Sequence, residues 1–168
     1  MNIRIAGIMD DSIVDGPGLR LTIFTQGCTH ACPGCHNPQS HDPKGGKDMD
    51  TSEIIEKIDE NPLLDGITLS GGEPFLQALS CAELAQAAHE RRLNVWTYSG
   101  WTFEELLERA KTDGNALALL EHTDVLVGGP FILAEKSLDV KWRGSKNQRL
   151  LNVPASLCAG HAVEWENG

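Results

Sequence analysis

Long apolar runs are missing from this chain. The longest are short and strand-like, so no segment reads as a membrane-spanning helix and no membrane partner is expected. The opening residues Met1-Asn2-Ile3-Arg4 lack the apolar core of a secretory signal, and the expected setting is cytoplasmic. Tandem Gly or Pro tracts, internal repeats and low-complexity linkers are lacking too, which leaves disorder without support. Positive charge is scarce. With 14 Lys+Arg against 24 Asp+Glu the formal net charge is −10, the opposite of the basic face a general nucleic-acid binder presents. Only residues 136–149 are locally basic, through Lys136, Lys141, Arg143, Lys146 and Arg149. That stretch reads either as a solvated loop balancing the acidic remainder or as a site for an anionic group or a partner.

A disulfide framework is lacking as well. The 5 cysteines are odd in number, and Cys28, Cys32 and Cys35 crowd into one short loop rather than spreading along the chain. A reducing compartment with a metal or redox site fits this distribution. Cys81 and Cys158 stand alone and are expected as small core residues.

What is present suffices for one domain over residues 1–168, since 40% of the chain is hydrophobic. The rhythm is strand, loop, helix. Residues 19–26 (LRLTIFTQ) alternate as a strand, and a turn-rich stretch follows from Gly27 to Asp50. Thr51 or Ser52 is placed to cap a helix running to about Glu60. Residues 66–70 (GITLS) form the next strand. Pro74 opens an alanine-rich helix through Arg92 with apolar positions Leu76, Leu79, Leu84 and Ala88. Leu93 to Ser99 is a third strand, and Thr102 with Glu105 makes a capping box for the helix after it. Asp124 to Val127 and Arg149 to Val153 supply a fourth and a fifth strand.

Such alternation implies an α/β fold with a parallel sheet. A closed eight-stranded barrel takes about 250 residues, more than this chain has. The expected architecture is therefore a partial, open (β/α) barrel. Its chemistry would gather at the carboxyl ends of the strands, where the cysteine loop and Gly71-Gly72-Glu73 both fall.

The loop Cys28-Thr-His-Ala-Cys32-Pro-Gly-Cys35 supplies three thiolates, the usual ligands of iron–sulfur clusters. A four-iron cluster needs four ligands, and the missing fourth leaves one iron open to substrate. Two other readings compete. Structural zinc would take the cysteines with His30, His36 or His41. A dithiol would use Cys32-Pro33-Gly34-Cys35, although that motif normally opens a helix and Pro38 follows here.

The order of several motifs is more specific than any one of them. Asp15-Gly16-Pro17-Gly18-Leu19-Arg20, Phe24, Gln26-Gly27-Cys28 and Cys35-His36-Asn37-Pro38 together resemble the start of the radical S-adenosylmethionine (SAM) activating enzymes. These oxidoreductases install a glycyl radical in a larger partner. Pro33-Gly34, Leu69-Ser70-Gly71-Gly72-Glu73-Pro74 and Arg143-Gly144-Ser145-Lys146-Asn147-Gln148-Arg149 are similar to the branch that serves the anaerobic (class III) ribonucleotide reductase. The likeness runs from about residue 10 to 153.

The resemblance implies that Cys28, Cys32 and Cys35 ligate a [4Fe–4S] cluster whose fourth iron is chelated by SAM. Gly71, Gly72 and Glu73 would receive the SAM ammonium group. Gly34 and His36 would line the adenine side, with backbone contact at Gly34, where radical SAM enzymes often carry an aromatic residue. Reductive cleavage of SAM would yield a 5′-deoxyadenosyl radical that takes hydrogen from a glycine of the anaerobic ribonucleoside-triphosphate reductase. Flavodoxin or ferredoxin would supply the electron. Other small radical SAM activities remain alternatives: a different activase, or a deazaguanine-forming enzyme. So does a non-enzymatic zinc or electron-transfer module. Tyr98-Ser99-Gly100-Trp101 is similar to a family turn and reads equally as a packed aromatic at a strand end. The chain has Val127-Gly128-Gly129-Pro130-Phe131 where the family has an aspartate, so no carboxylate role is expected at Gly128.

Overall fold

Residues 1–30, 32, 41–42, 44–137 and 141–166 are described by the computed structural model. Among the residues expected at the site, Gly34, Cys35 and His36 lie outside this set. The fold is mixed α/β. Among the described residues seven strands form one sheet: β1 (Asn2–Ser12), β2 (Arg20–Thr25), β3 (Lys47–Asp50), β4 (Gly66–Gly71), β5 (Asn94–Ser99), β6 (Val125–Gly128) and β7 (Arg149–Asn152). Their order is β3-β1-β2-β4-β5-β6-β7. The central strands β2, β4, β5 and β6 run parallel. Both flanks are antiparallel: β1 against β2 and β3, and β7 against β6. The expected parallel core is present, while the fifth strand expected from residues 149–153 runs the other way. Two further strands, β1 and β3, extend the sheet beyond the sequence reading, and β3 closes the stretch read as turn-rich.

The helices are α1 (Thr51–Glu60), α2 (Ala78–Glu90), α3 (Phe103–Ala110), α4 (Gly114–Glu121) and α5 (Val153–Ala159). Successive strand residues point to opposite faces. Leu21, Ile23, Ile67, Leu69, Val95 and Leu126 therefore join Ile54, Leu84, Phe103 and Leu119 in one apolar core between sheet and helices. Full burial of each such side chain stabilises the fold by about 1.5–3 kcal/mol. The alternate positions carry a different set. Trp96, Val125 and Val127 pack with Tyr98, Trp142, Leu150 and Trp165 in a separate aromatic-rich cluster. No helix among the described residues is long and apolar enough to cross a membrane.

Three local expectations are corrected. The N-cap of α1 is Asp50, whose side chain accepts from the Ser52 amide and shares a capping box with Glu53. Thr51 is fully buried instead, and its hydroxyl donates to Glu83 at 2.8 Å. The segment opened by Pro74 begins as a 3₁₀ turn (Pro74–Gln77) before α2 starts at Ala78. A 3₁₀ turn has three residues rather than 3.6, so the apolar stripe changes phase. Leu84 and Ala88 are buried as expected, but Leu76 and Leu79 are 40% and 51% exposed, with Ala78, Cys81 and Ala85 in the core. Cys81 is the buried residue expected, whereas Cys158 is exposed near the end of α5.

Candidate active site

Parallel strands deliver their carboxyl ends to one side, and four tips meet there. Thr25 leads into the cysteine loop, Gly71 into the Gly-Gly-Glu turn, Ser99 into Gly100-Trp101, and Gly128 into Gly129-Pro130. A cavity of about 700 Å³ opens among them, lined by Cys28, His30, Cys32 and His41 from the loop and by Gly71 and Gly72 from the turn. One layer of side chains forms its floor. Phe24 lies opposite Ser70, and Tyr98 lies opposite Val127.

The cysteine loop and the glycine turn are joined by backbone. The Gly72 amide donates to the Thr25 carbonyl and the Glu73 amide to the Gly27 carbonyl, both at 2.8 Å. The Cys28 amide donates to the His41 carbonyl at 3.1 Å. Gly71 has φ +92°, and a Cβ there would stand 2.5 Å from the Thr25 nitrogen. A side chain at Gly72 would collide with the Gly27 carbonyl. The two glycines thus let the turn lie directly against the start of the loop.

Glu73 does not line the cavity, and it is fully enclosed. Its Oε1 accepts from Ser99 Oγ and the Gly100 amide at 2.8 Å and from His30 Nε2 at 2.6 Å, while Oε2 accepts from the Phe75 amide at 3.1 Å. Charge-assisted hydrogen bonds of this kind are what make a buried carboxylate tolerable. The motif is legible in the sequence, but the carboxylate's partners are not.

The neighbouring cavity wall is polar. Asp15 Oδ2 accepts from Ser12 Oγ at 2.6 Å and Thr22 Oγ1 at 3.1 Å. Fully buried Arg20 donates to Thr68 Oγ1, Pro17 O and Ile67 O at 2.7–2.9 Å and lies 5.7 Å from the Trp96 ring centroid. Burial pushes its guanidinium down to about 10, opposed by Tyr98, Asp65, Asp124 and Asp15, so it remains a cation at neutral pH. Burial, then the charge of Asp15, push the Tyr98 phenol up, against the effect of Arg20. Tyr98 therefore stays neutral and packs as a wall.

The basic stretch is largely stitched to the protein. Arg149 pairs with Glu104. Arg143 donates to the Gln148 carbonyl at 2.8 Å, while Gln148 accepts from the Gly144 and Ser145 amides and donates to the Gly129 carbonyl. Arg143 and Lys136 nonetheless line the cavity opposite the cysteine loop. The sequence singled out this stretch for its charge and residues 143–149 for a resemblance, and much of it closes the loop after β6. Trp142 went unnoticed in the sequence. It has φ 67°, lines the cavity and packs edge-on against Trp96 at 5.9 Å.

Two of the three cysteines expected to hold an iron–sulfur centre face one cavity. Cys28 and Cys32 are partly exposed thiols on one cavity, and Cys35 lies outside the described residues. His41 Nε2 is buried on the same cavity without a hydrogen-bond partner among the described residues. His30, one candidate zinc ligand, is turned to Glu73. No group of three or more His, Cys, Asp or Glu side chains among the described residues is arranged to hold a metal ion.

Residues 14–151 match the family described as a 4Fe-4S single cluster domain, which favours iron–sulfur over zinc for the cysteine loop. The chain is 34% identical over 144 residues to the anaerobic ribonucleoside-triphosphate reductase-activating protein of Vibrio cholerae, covering 81% of this chain and 89% of that protein. Its identity to the protein of the same name from Haemophilus influenzae is 34% over 147 residues, with the same coverages of 81% and 89%. The one from Enterobacteria phage T4 is 31% identical over 145 residues, covering 82% and 86%. Among solved structures, QueE from Escherichia coli aligns with a TM-score of 0.50 at 13% identity, covering 61% of this chain and 54% of that one, a likeness of fold alone. Cysteine loop, glycine turn and relatedness along most of the chain agree: it belongs to the 4Fe-4S single cluster domain family and, within it, to the anaerobic ribonucleoside-triphosphate reductase-activating proteins.

Proposed function

We propose that this chain is a radical SAM activase that cleaves SAM reductively at a [4Fe–4S] cluster and so places a glycyl radical on an anaerobic (class III) ribonucleotide reductase. The whole chain would act as one radical SAM domain of the partial, open barrel type, in the reducing cytoplasm. The observation that carries this reading is the meeting of cysteine loop and glycine turn on one cavity, hydrogen-bonded to each other.

Cys28, Cys32 and Cys35 would hold the cluster and leave one iron for the amino and carboxylate groups of SAM. When bound, the cluster and SAM supply one-electron cleavage of a carbon–sulfur bond and a radical able to take hydrogen from a glycine. The chain's own groups bind, orient and exclude water. Amides of Gly72 and Glu73 donate to the Thr25 and Gly27 carbonyls, and an ammonium group, itself only a donor, would be received by carbonyl oxygens of the Gly71-Gly72 turn. Glu73 supports that turn from behind, its oxygens bonded to His30, Ser99, Gly100 and Phe75. Gly34 and His36 would line the adenine side. Phe24, Tyr98, Val127 and Trp142 keep much of the cavity apolar. Arg143 and Lys136 leave its far wall cationic. The electron would come from flavodoxin or ferredoxin.

The test is anaerobic reconstitution with iron and sulfide, followed by addition of SAM, reductant and an anaerobic reductase. A [4Fe–4S] spectrum, release of methionine and 5′-deoxyadenosine, and a glycyl radical by electron paramagnetic resonance are expected. Tight zinc binding without cluster assembly would overturn the cofactor. Turnover of a small molecule with no glycyl radical on any anaerobic reductase would overturn the activase assignment.

A further inference from the structure

The geometry points to His30 as a positioning residue: its ring ties the loop between Cys28 and Cys32 to the buried Glu73 and so sets how those thiolates are presented. The inference rests on the proposed cluster for its consequence, but its geometry belongs to the protein alone. His30 sits midway between the two cysteines, where a loop that only carried ligands would leave it in solvent. Instead its side chain is 14% exposed. A carboxylate accepts and cannot donate, so Nε2 carries the hydrogen of the 2.6 Å bond to Glu73 Oε1.

The seat for this ring is prepared by other elements. Glu73 is held independently of the loop by Ser99 Oγ, the Gly100 amide and the Phe75 amide. Trp101 forms one wall, edge-on to the imidazole with centroids 4.6 Å apart, and Arg109 covers the Trp101 ring at 4.4 Å. Gly100 forms another wall. A Cβ there would stand 2.5 Å from His30 Cδ2 and 2.7 Å from Cγ and Nε2. These are contacts with a ring already bonded at its far end, so the ring would have to leave. Gly27 and Cys28 are thereby held through the Glu73 and Cys28 amides, and His30 through its ring. A segment restrained at Cys28 and His30 loses less conformational freedom when it takes up a ligand than a free one does.

Two measurements test the tether. In the metal-free protein, exchange of the Cys28 amide should be roughly tenfold faster in His30→Ala and in Gly100→Ala. Amides of β4 should keep wild-type rates, and so should every site in His161→Ala. In the reconstituted protein, loss of iron to a chelator should be roughly tenfold faster in the same two variants, as for other residues that orient metal ligands. Adding Gly100→Ala to His30→Ala should change nothing further, because the seat is already empty. His30→Gln, which keeps an N–H donor, should recover part of both effects. Wild-type exchange and iron retention in His30→Ala, or additive effects in the double variant, would overturn the proposal. If the wild-type protein assembled no cluster, the proposed function would fall, while the metal-free exchange would still decide the tether.

Discussion

Glu73 concentrates what single side chains do in this molecule. The sequence motif directs attention to its charge, and the structure gives that charge four protein donors. Glu73→Ala would strand Ser99 Oγ and the Gly100 and Phe75 amides, each costing about 1–3 kcal/mol when buried. Urea denaturation should show a loss of at least about 3 kcal/mol, with Glu73→Gln intermediate. A loss below about 1 kcal/mol would mean that the carboxylate is dispensable to the fold. The SAM affinity that the proposed function implies is then better read in the milder variant. The lone cysteines make a second contrast. Burial pushes the Cys81 thiol up to about 12, with Glu73 adding to the shift, so almost no thiolate forms at pH 8. Iodoacetamide should therefore modify exposed Cys158 in the native metal-free protein and reach Cys81 only on unfolding. Replacing either by Ala should leave cluster assembly intact, whereas Cys28→Ala, Cys32→Ala or Cys35→Ala should abolish it.

At the level of elements, local chemistry predicted some boundaries and missed others for identifiable reasons. The Thr102–Glu105 capping box was legible because both partners are local, and both of its hydrogen bonds are present. Thr102→Ala should cost about 1 kcal/mol by thermal denaturation. α4 was missed because it starts at Gly114, a poor helix residue, under a cap from the Asp113 side chain. β1 was missed because its far end, Asp10-Asp11-Ser12, is polar and its register slips twice against β2. The carboxylates that tie helices have a pH signature. The Ser52 amide and hydroxyl hold Asp50 below its ordinary 3.8, and Arg91 on the α2 side does the same for Asp59 of α1. A carboxyl depressed in the folded state binds its proton more weakly than in the unfolded chain, so its stabilisation is present above pH 3.8 and lost as pH falls below it. Thermal midpoints measured from pH 5 to pH 2 should fall less steeply in Asp50→Asn/Asp59→Asn than in wild type. An unchanged slope would remove these two groups from the acid limb.

At the scale of the whole molecule, the sheet separates structure from chemistry. Its helix-covered face holds the large apolar core, and the site is built where the alternate side chains and the strand tips converge. The end of the chain contributes to that second side. The Trp165 amide donates to the Leu150 carbonyl at 2.9 Å, and its ring packs edge-on to Trp96 at 5.0 Å. Since Trp165 is only half-buried, Trp165→Ala should cost about 2 kcal/mol, less than a fully buried aromatic. Near-ultraviolet circular dichroism should report the loss of the coupled tryptophans.

The sequence alone determined the make-up of the candidate site: three cysteines at close spacing, a Gly-Gly-Glu turn and the strand–helix rhythm that places both at strand ends. These are local facts, carried by residue type and by distances along the chain. Tertiary structure decided which groups answer one another. Glu73 and His30 are 43 positions apart, and Glu73 and Gly100 are 27. No pattern in either neighbourhood announces that a ring from one strand tip will sit on a glycine of another and bond to the carboxylate of a third. The physical reason is that a parallel sheet brings its tips together only after the crossovers have closed. Burial then fixes the partners, because an enclosed carboxylate must find every donor it needs within the protein.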